Sequence, residues 1–306
     1  MSKLLVIIVT YNAMQWAKRC FDSLITSSIV PDVFVVDNGS TDGSQKFIQD
    51  NYPNAIFQQS EKNLGFGAAN NIGLKYALEN NYDYVYLLNQ DAWVMTDTFD
   101  KLIKISIENH DFGLISPMQM NADLYHIDKN FCNNLFSYSP KNIINDIYNN
   151  NLKEIYETTP FVMAAHWFLT KECVKKVGGF SPTFKHYGED NNYAHRVIYH
   201  GLKIGVTPQL KVVHDRGERI DTPKTIMYMY YALSLVELSN PLTGSTFMVV
   251  ARQAAKCVYL MFKFKSFKPV LYFGKIFLTI SNILKNKKIS KYIDCAFFHK
   301  SNLRKL

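Results

Sequence analysis

The sequence predicts an α/β fold with a mostly parallel central sheet flanked by helices. Apolar runs of strand length recur at residues 3–9 ("KLLVIIV"), 33–38 ("VFVVDN") and 84–89 ("YVYLLN"), and segments of helical periodicity separate them. A continuous apolar run is typical of a strand that is buried on both faces. Strands that alternate with helices form parallel sheets with crossover connections. Ligands bind such sheets at the carboxyl ends of the strands, so the loops there are the first candidates for a functional site.

The first half of the chain reads as a regular alternation of these elements. Apolar residues at helical spacing predict a helix over Met14–Ile25, after the first strand. The second strand leads into a helix that "STDGS" (40–44) opens, and a short extended piece follows at 55–59. A further helix is predicted at about 68–78, just before the strand that ends at Asn89.

The second half is less regular. Residues 121–157 are rich in Asn and weakly periodic, which indicates an insertion or a loop on the acceptor side. Order returns with the apolar stretch 161–170 and the helix "KECVKKV" (171–177). Two short strands, 203–207 and 210–214, are expected to close this part of the chain as a pair.

Charge divides the chain into two expected domains, 1–221 and 222–306. Residues 222–306 carry 14 Lys and Arg against two acidic residues, a net charge of +12, whereas residues 1–221 carry 20 basic and 24 acidic residues, a net charge of −4. The second region reads as basic, aromatic and amphipathic helices, which favours attachment in the plane of a membrane surface. Periodicity alone equally allows a helical subdomain packed on the body.

Composition bounds the class of protein. The 306 residues are 47% hydrophobic and 20% charged, as expected for a globular chain, and the five Cys are odd in number with no paired spacing. They fit a reducing compartment and predict neither a disulfide framework nor a zinc site. The stretch "MSKLLVIIVTYN" is apolar too briefly for a signal peptide, so we expect the protein on the cytoplasmic side.

Two polar stretches follow predicted strands, "VTYN" (9–12) and "VVDNGSTDGS" (35–44). Asp-Asn-Gly is strong turn chemistry, and taken alone each stretch is typical of a turn. A carboxylate at a strand end, such as Asp37, can also accept the imide N–H of a uracil or thymine base. The residues by themselves leave both interpretations open.

The stretch "NLGFGAANNIG" (63–73) combines three glycines with two adjacent asparagines. Such a loop can bring backbone close to a phosphate at a helix N-terminus. Its spacing fits neither Gly-x-Gly-x-x-Gly nor the P-loop, so a dehydrogenase or a kinase is disfavoured. Glycines that open a helix are the simpler interpretation.

An apolar strand ends on the acid of "LLNQDA" (87–92). Asp91 can begin a turn or serve as a hard oxygen ligand for a divalent cation on a diphosphate. Asn89 can add a neutral amide oxygen. The stretch alone does not decide between these interpretations.

The stretch "HYGEDNNYAHRV" (186–197) places Glu189 and Asp190 at the start of a helix. The positive end of the helix dipole should hold a carboxylate deprotonated there, as in a capping pair or a general base. His214 in "VVHDRG" (212–217) ends a strand, and a lone His is usually structural.

Together and in this order, these stretches resemble the inverting glycosyltransferases of family 2, which have the nucleotide-sugar-binding GT-A fold. The resemblance runs from about Lys3 to Gly217 and is closest to the branch that includes bacterial rhamnosyltransferases and other O-antigen or capsule enzymes. It rests on six motifs: "VTYN", "VVDNGSTDGS", "NLGFGAANN", "LLNQDA", "GGFSPTFKHYGED" and "VVHDRG".

The resemblance implies a role for each matching residue. Asp190 matches the catalytic base, and Glu189 would support the acceptor. Asp91 matches the last acid of the family's D-x-D motif and would hold Mg²⁺ or Mn²⁺ on the diphosphate, with His214 as a second ligand. Asn89 stands where the general motif has an acid, which implies one strong carboxylate ligand instead of two. The residues expected to bind the nucleotide sugar are Thr10, Tyr11, Asn12, Asp37, Asn38, Asn70, Asn89, Gln90 and Asp91, with Asp37 on the pyrimidine base.

The resemblance also implies substrates and partners. The favoured reaction moves rhamnose from dTDP-rhamnose, or otherwise a hexose from a UDP-hexose, to a hydroxyl of a glycan acceptor in bacterial surface polysaccharide synthesis. His166 and Trp167 are expected on the acceptor side. The acceptor is expected on a polyprenyl diphosphate, with the enzyme peripheral at the anionic inner face of the cell membrane and with no nucleic-acid partner.

Three other classes of protein fit less well. A nucleotidyltransferase needs a Gly-rich N-terminal loop with basic residues for a triphosphate, and "VTYNAMQW" has none. A nucleic-acid-binding protein would explain the basic tail, but long Leu, Ile and Phe runs suit lipid or a helical core better. A non-catalytic sugar-binding module would not require Asp91, Glu189 and Asp190 together.

Overall fold

A mixed sheet forms the centre of the fold. The computed structural model describes residues 2–138, 143–158, 160–217, 222–292 and 296–298. Over these ranges the strands are β1 (Leu4–Thr10), β2 (Asp32–Asp37), β3 (Ile56–Gln59), β4 (Tyr84–Asn89), β5 (Ala92–Trp93), β6 (Phe112–Met120), β7 (Tyr156–Glu157), β8 (His166–Thr170) and β9 (Lys203–His214).

Helices cover the sheet and extend beyond it. They are α1 (Met14–Ile25), α2 (Ser44–Asn51), α3 (Phe66–Glu79), α4 (Thr98–Glu108), α5 (Lys129–Tyr138), α6 (Ile143–Tyr148), α7 (Lys171–Val177), α8 (Glu189–Tyr199), α9 (Pro223–Ser239), α10 (Thr246–Phe264) and α11 (Lys268–Ile289).

The strand order is β3-β2-β1-β4-β8-β6-β9-β5, and β7 pairs with β9. Strands β3, β2, β1 and β4 are parallel, as are β6 and β9, whereas β8, β5 and β7 run antiparallel to their neighbours. The predicted α/β class is confirmed, and the parallel arrangement belongs chiefly to the first four strands. Their carboxyl ends bring Thr10, Asp37 and Asn89 to one edge of the sheet.

Both faces of the sheet are covered, which explains the continuous apolar runs. Leu5 and Ile7 of β1 lie in the core on one face, and Val6 and Ile8 lie in the core on the other. On the first face α3 approaches very closely, because a Cβ at Gly73 would lie 2.7 Å from Ile7. Glycine there lets the helix that follows the "NLGFG" motif pack directly on β1.

The expected strand pair 203–207 and 210–214 is instead one strand, β9. Its pairing with β6 shifts register where Pro117 is followed by Met118, opposite Thr207 and Lys211. Pro208 lies inside this shift and cannot donate to a ladder hydrogen bond, so the irregularity has a local cause. The sequence pattern showed this irregularity and made one strand look like two.

The segment 121–157 is also more ordered than its sequence predicts. It contains α5, α6 and β7, and β7 adds to the sheet beside β9. Phe131, Leu135 and Ile143 bury their side chains in the main core. The apolar positions are few and short helices carry them, so the periodicity was too weak to detect.

The three C-terminal helices α9–α11 surround a third core. This core includes Phe184, which comes from the loop before α8, and Asn192 of α8 donates to Ser239 Oγ at 3.1 Å. The helices are therefore packed on the body, which is one of the two arrangements that the sequence allowed. The predicted boundary at 221/222 falls on 218–221, outside the described residues. In the part of the chain that the structure describes, no helix is both long and apolar enough to span a bilayer. The members of the third core are Phe184, Leu235, Val236, Leu238, Val249, Ile276 and Ile283.

Candidate active site

The loop after β2 is organised around the carboxylate of Asp37. This fully buried group accepts from Thr10 Oγ1 at 2.8 Å, from Ser40 Oγ at 2.5 Å and from Gln45 Nε2 at 3.3 Å. The backbone N–H groups of Gly39 and Ser40 donate to it as well, at 3.1 and 2.9 Å. Five donors saturate the roughly four acceptor positions of a carboxylate. In this conformation Asp37 shapes the loop, and its contact with a base stays a prediction.

The loop after β1 is tied to both neighbouring loops. Gln90 accepts from the Tyr11 backbone N–H at 2.7 Å and donates to the Tyr11 carbonyl at 3.1 Å. Asn12 has φ 52° and bonds on the other side, since its N–H donates to Ser40 Oγ at 2.9 Å and its Oδ1 accepts from Thr41 N–H at 2.8 Å. Tyr11 itself is 47% exposed, which leaves its ring accessible at this edge.

The glycine-rich segment at the start of α3 bridges two loops. The Leu64 N–H donates to Asn38 Oδ1 at 3.3 Å, which joins this segment to the loop after β2. Gly65 has φ 83°, and a Cβ there would lie 2.5 Å from the Lys185 carbonyl oxygen. Only glycine permits this approach, so the motif brings the loop after β2 next to the loop that precedes α8.

Two other predicted asparagines are engaged by the scaffold. Asn70 is buried in α3, and its Nδ2 donates to the Phe66 carbonyl at 3.0 Å within the same helix. The backbone N–H of Asn89 donates to the Ala165 carbonyl at 3.0 Å. These bonds hold both residues near the edge of the sheet, and their contact with a donor stays a prediction.

The adjacent carboxyl groups of Glu189 and Asp190 begin α8. Gly188 precedes them with φ 91°, and Glu189 Cβ lies 3.7 Å from the position that a Cβ on Gly67 would take. Glu189 Oε2 is buried and has no hydrogen-bond partner among the residues that the structure describes, while Asp190 Oδ1 accepts from the Asn191 N–H at 2.8 Å.

Burial dominates the electrostatics of this pair. Desolvation raises the pKa of Asp190 and that of Glu189, and the neighbouring Asp190 charge raises the pKa of Glu189 further. The helix N-terminus was expected to hold the carboxylates fully deprotonated, but here desolvation outweighs it. A carboxylate with a raised pKa is suited to take a proton near neutral pH.

Asp91 and His214 meet where β5 pairs with β9. Ala92 lies opposite His214, and the Asp215 N–H donates to the Asp91 carbonyl at 2.7 Å. His214 Nε2 lies 3.6 Å from Asp91 Oδ1, and both side chains are nearly buried. The structure therefore brings the two predicted metal ligands together across an antiparallel strand pair.

The chemistry of these two donors fits a divalent cation on a diphosphate. A carboxylate oxygen and an imidazole nitrogen suit Mn²⁺, and the carboxylate suits Mg²⁺. Among the described residues, no group of three His, Cys, Asp or Glu side chains could hold a metal ion. A cation here would therefore need oxygens of a bound diphosphate or waters to complete its coordination. The metal remains a proposal.

Sequence reasoning missed Asp128 and Arg216, which extend this cluster. Asp128 Oδ2 lies 3.7 Å from His214 Nδ1, and Arg216 Nη2 lies 3.0 Å from Asp128 Oδ1. The Phe131 N–H also donates to Asp128 Oδ1 at 2.7 Å, so the carboxylate caps α5. The one available signal was Arg216, two residues after His214, since Asp128 lies in the segment that looked like a loop.

The structure corrects the expectation for His166 and Trp167. Both side chains are 0% exposed, so neither can contact an acceptor in this conformation. His166 Nε2 donates to the Val213 carbonyl at 2.8 Å and Nδ1 faces the Tyr86 hydroxyl at 2.8 Å, while burial lowers the pKa of His166 to about 3. Trp167 Nε1 donates to the Val162 carbonyl at 3.2 Å inside the main core. Both are structural residues of the sheet.

Comparison with known proteins identifies a matching family, two related rhamnosyltransferases and solved structures of the same fold. The family model described as glycosyl transferase family 2 matches residues 5–178. The O-antigen chain rhamnosyltransferase RfbN of Salmonella typhimurium is 26% identical over 247 residues, which cover 78% of this chain and 74% of RfbN. The dTDP-rhamnosyl transferase RfbF of Shigella flexneri is 25% identical over 166 residues, 52% of this chain and 51% of RfbF.

A third relative is matched over a shorter region. Glycosyltransferase GlyA of Streptococcus pneumoniae is 31% identical over 109 residues, and this match covers 35% of this chain and 15% of GlyA. The chain thus corresponds to a small part of that relative.

Solved structures show the same architecture. S. aureus TarS 1-349 in complex with UDP matches with a TM-score of 0.54 at 16% identity, over 81% of this chain and 68% of the TarS 1-349 chain. The complex of TarS 1-349 with UDP-GlcNAc gives a TM-score of 0.53 at 17% identity, over 86% and 73%. At these identities the likeness concerns the fold, and it agrees with the fold that the motifs imply.

Proposed function

Because the chain belongs to glycosyl transferase family 2 and is a glycosyltransferase of the GT-A fold, we propose that it moves a sugar, with inversion, from a nucleotide donor to a glycan hydroxyl. The favoured donor is dTDP-rhamnose, and a UDP-hexose is second. The product would belong to an O-antigen, a capsule or another bacterial surface polysaccharide.

One observation carries the proposal. Five parts of the chain contact one another in series. They are the turn after β4, the loop after β1, the loop after β2, the glycine-rich segment 60–67 that leads into α3, and the start of α8. Residues expected to bind a nucleotide, a diphosphate and an acceptor hydroxyl therefore share one edge of the sheet. Open α/β sheets bind ligands at this edge.

The mechanism follows from the carboxylate pair. Asp190 takes the proton of the acceptor hydroxyl, and the oxygen forms a bond to the anomeric carbon from the face opposite the nucleotide. The bond from that carbon to the donor diphosphate breaks, and the diphosphate leaves with the electron pair. Glu189 would orient the acceptor. When bound, a divalent cation at Asp91 and His214 would neutralise charge on the leaving diphosphate.

The donor preference rests on relatives. RfbN, an O-antigen chain rhamnosyltransferase, and RfbF, a dTDP-rhamnosyl transferase, support dTDP-rhamnose as the first donor to test. TarS was solved with UDP and with UDP-GlcNAc, which supports a uridine donor as the second choice. Either nucleotide presents a pyrimidine base with an imide N–H.

The acceptor and the location form part of the same proposal. A lipid-linked acceptor on a polyprenyl diphosphate would be met at the inner face of the cell membrane. The net charge of +12 over residues 222–306 supports attraction to that anionic surface. Exposed apolar side chains on the C-terminal helices support insertion at the interface. They include Phe247, Phe262, Phe267 and Leu278.

The experiment combines a donor panel with a base variant. Purified protein with Mn²⁺ or Mg²⁺ is assayed with dTDP-rhamnose, UDP-glucose and UDP-GlcNAc on polyprenyl-diphosphate-linked acceptors. Asp190→Asn should retain affinity for the nucleoside diphosphate and lose on the order of 10²–10⁴-fold in turnover. Asp50→Asn, an exposed acid of α2 that pairs with Lys46, is the matched control and should leave turnover unchanged. Full turnover in Asp190→Asn would refute the assignment.

A further inference from the structure

We propose that His186, Tyr187 and Tyr228 form an aromatic platform that binds a sugar ring of the acceptor, and that the C-terminal helices supply part of it. The inference rests on the proposed function, because it names what the catalytic pair faces. Nothing in the family motifs requires Tyr228, which lies in α9, beyond the matched residues 5–178.

The three rings lie beside the catalytic pair. His186 and Tyr187 immediately precede Gly188 and Glu189, and their ring centroids are 3.9 Å apart. Tyr187 contacts Tyr228 edge-on, with centroids 6.2 Å apart. His186 is exposed and the two tyrosines are half-buried, so part of each ring remains accessible.

The platform is built rigidly. Tyr228 Oη donates to the His186 carbonyl at 3.1 Å, which fixes α9 to the loop before α8. Tyr187 has φ 64°, a left-handed conformation that a bulky residue adopts only where its surroundings hold it. Behind the platform Tyr231 stacks on Tyr272 of α11 with centroids 5.1 Å apart and an interplanar angle of 22°, so two C-terminal helices support it.

The charge of Glu189 also acts on the Tyr228 hydroxyl. Burial raises the pKa of its hydroxyl, and the nearby Tyr231 and Glu189 charges raise this pKa further. The ring therefore lies within electrostatic range of Glu189. An accessible aromatic face beside a carboxylate matches a sugar ring, whose C–H groups pack on the ring while its hydroxyls bond to the acid.

The position favours the acceptor over the donor nucleotide. The residues expected to bind the base lie in the loops after β1 and β2, on the far side of the segment 60–67. His186 and Tyr187 precede Gly188 and the Glu189–Asp190 pair in the chain, and the Glu189 charge acts on Tyr228, so the platform lies beside the carboxyls that would receive the acceptor hydroxyl. A ring stacked there would bring its hydroxyl within reach of that carboxylate.

The test measures sugar binding directly on the full chain. Saturation-transfer NMR is recorded with methyl α-L-rhamnopyranoside, methyl β-D-galactopyranoside and methyl N-acetyl-β-D-glucosaminide, in the presence of UDP or dTDP. Tyr228→Phe keeps the ring and should keep the signal. Tyr228→Leu removes the ring and should weaken binding by about 3- to 10-fold, as expected for one aromatic contact. Tyr259→Leu, an exposed tyrosine of α10 outside the platform, is the control and should match wild type.

Nucleotide affinity separates the possible outcomes. Tyr228→Leu should bind UDP or dTDP within about twofold of wild type, since the contact lies on the acceptor side. Unchanged sugar binding in Tyr228→Leu, an equal loss of nucleotide binding, or no signal for any of the three glycosides with wild type would each overturn the platform. If wild type binds a glycoside through Tyr228 but transfers no sugar and binds neither nucleotide, the proposed function fails while the platform stands.

Discussion

Asp190, the proposed base, carries an electrostatic cost. Desolvation at the start of α8 raises its pKa above the ordinary aspartate value of 3.8, although the helix N-terminus favours the charged form. An acid whose pKa is higher in the folded than in the unfolded state destabilises the fold progressively as pH rises above its unfolded pKa, and the loss is complete above the folded pKa. Such a site trades stability for reactivity.

The raised pKa predicts a stability gain in a variant that loses activity. At pH 7–8 the free energy of unfolding of Asp190→Asn should exceed that of wild type by about 1–2 kcal/mol, because the variant forms no buried charge at this position. The gain should vanish below the unfolded pKa of 3.8, where both side chains are neutral. Urea denaturation at the two pH values measures it. Asp50→Asn, whose carboxylate is exposed, should show no such gain.

The same shift predicts the acidic limb of the rate profile. Since the base acts only when it is deprotonated, kcat/KM should fall as pH drops through an apparent pKa that belongs to the Glu189–Asp190 pair. That limb should lie above the range of an ordinary aspartate, because the pKa of both carboxyls is raised. A profile that stays flat down to pH 4.5 would contradict the assignment of the base.

Alanine variants of Asp91 and Asn89, which are two residues apart, should differ sharply in their affinity for the sugar nucleotide. Asp91→Ala removes the carboxylate that faces His214 at 3.6 Å and should cripple donor use. Asn89→Ala should do less, because the strand bond from its N–H to the Ala165 carbonyl is retained. Calorimetry with Mn²⁺ and a sugar nucleotide compares the two affinities. Equal and negligible effects would return Asp91 to the role of a turn residue.

Asp128 is predicted to position His214. Asp128→Asn can still accept from the Phe131 N–H but removes the charge that faces His214 and Arg216. Loss of such a supporting group typically weakens a metal site about 10- to 100-fold. Mn²⁺ binding in the presence of UDP, followed by electron paramagnetic resonance, should show this loss. Asp123→Asn, an exposed acid in the same segment, should leave Mn²⁺ affinity unchanged.

At the scale of single residues, the sequence predicted which residues lie near one another better than it predicted which side chains are buried. Asp91 and His214 do meet, because the motif spacing placed each at a strand end. His166 and Trp167 were expected to face the acceptor, yet both are buried, since nothing in an apolar stretch says which face its polar groups bond to. Asp128 was missed because it reaches His214 only through the folding of a distant segment.

Among the elements, the start of α8 depends on one glycine. Gly188 has φ 91°, and a Cβ there would lie 2.8 Å from Val236 Cγ2 of α9 and 3.0 Å from Phe184. The left-handed conformation and the close contact both exclude a side chain. This glycine therefore lets the start of α8, with Glu189 and Asp190, pack closely on the C-terminal helices.

Gly188→Ala should destabilise the fold by about 2 kcal/mol or more, since strain and overpacking add. Gly201→Ala is the matched control, because Gly201 has φ 77° but no atom of the described residues lies within 4 Å of its added Cβ. It should cost only the conformational strain, about 1 kcal/mol. Chemical denaturation of both variants measures the difference. Equal losses would show that the contact with α9 carries no energy.

The sequence pattern predicted some strands and helices well and missed others. The buried strands β1, β2 and β4 follow continuous apolar runs, and their predicted bounds agree within one residue or so. Strand β9 was divided in two by the irregularity at Pro208, and α5 and α6 were hidden in an Asn-rich segment. In each case tertiary pairing supplies order that the local pattern lacks.

For the whole molecule, the sequence predicted the fold class and the basic tail, and the structure adds how the tail is packed. Its helices cover Phe184 and Val236 and still leave Phe262 79% exposed. Packing on the body and exposure to a surface are thus compatible, because different faces of the helices serve each. Sequence periodicity could not separate them, since both need amphipathic helices.

Membrane attachment should be electrostatic and reversible. The protein should sediment with vesicles that contain anionic phosphatidylglycerol and not with neutral phosphatidylcholine, and about 0.5 M salt should release it. Phe262→Ser with Phe267→Ser should weaken binding, whereas Ile107→Ser, an exposed residue of α4, should not. Salt-insensitive binding, or no binding at low salt, would contradict the attachment.

Phe184 makes the loop before α8 and the helices α9–α11 share one core. Regions that share a core open together, so these two parts should exchange amide hydrogens as a single cooperative unit, separately from the main sheet. The carboxyls of Glu189 and Asp190 would then be ordered only while helices α9–α11 are folded. Whatever steadies those helices, including a lipid surface, would also steady the proton acceptor.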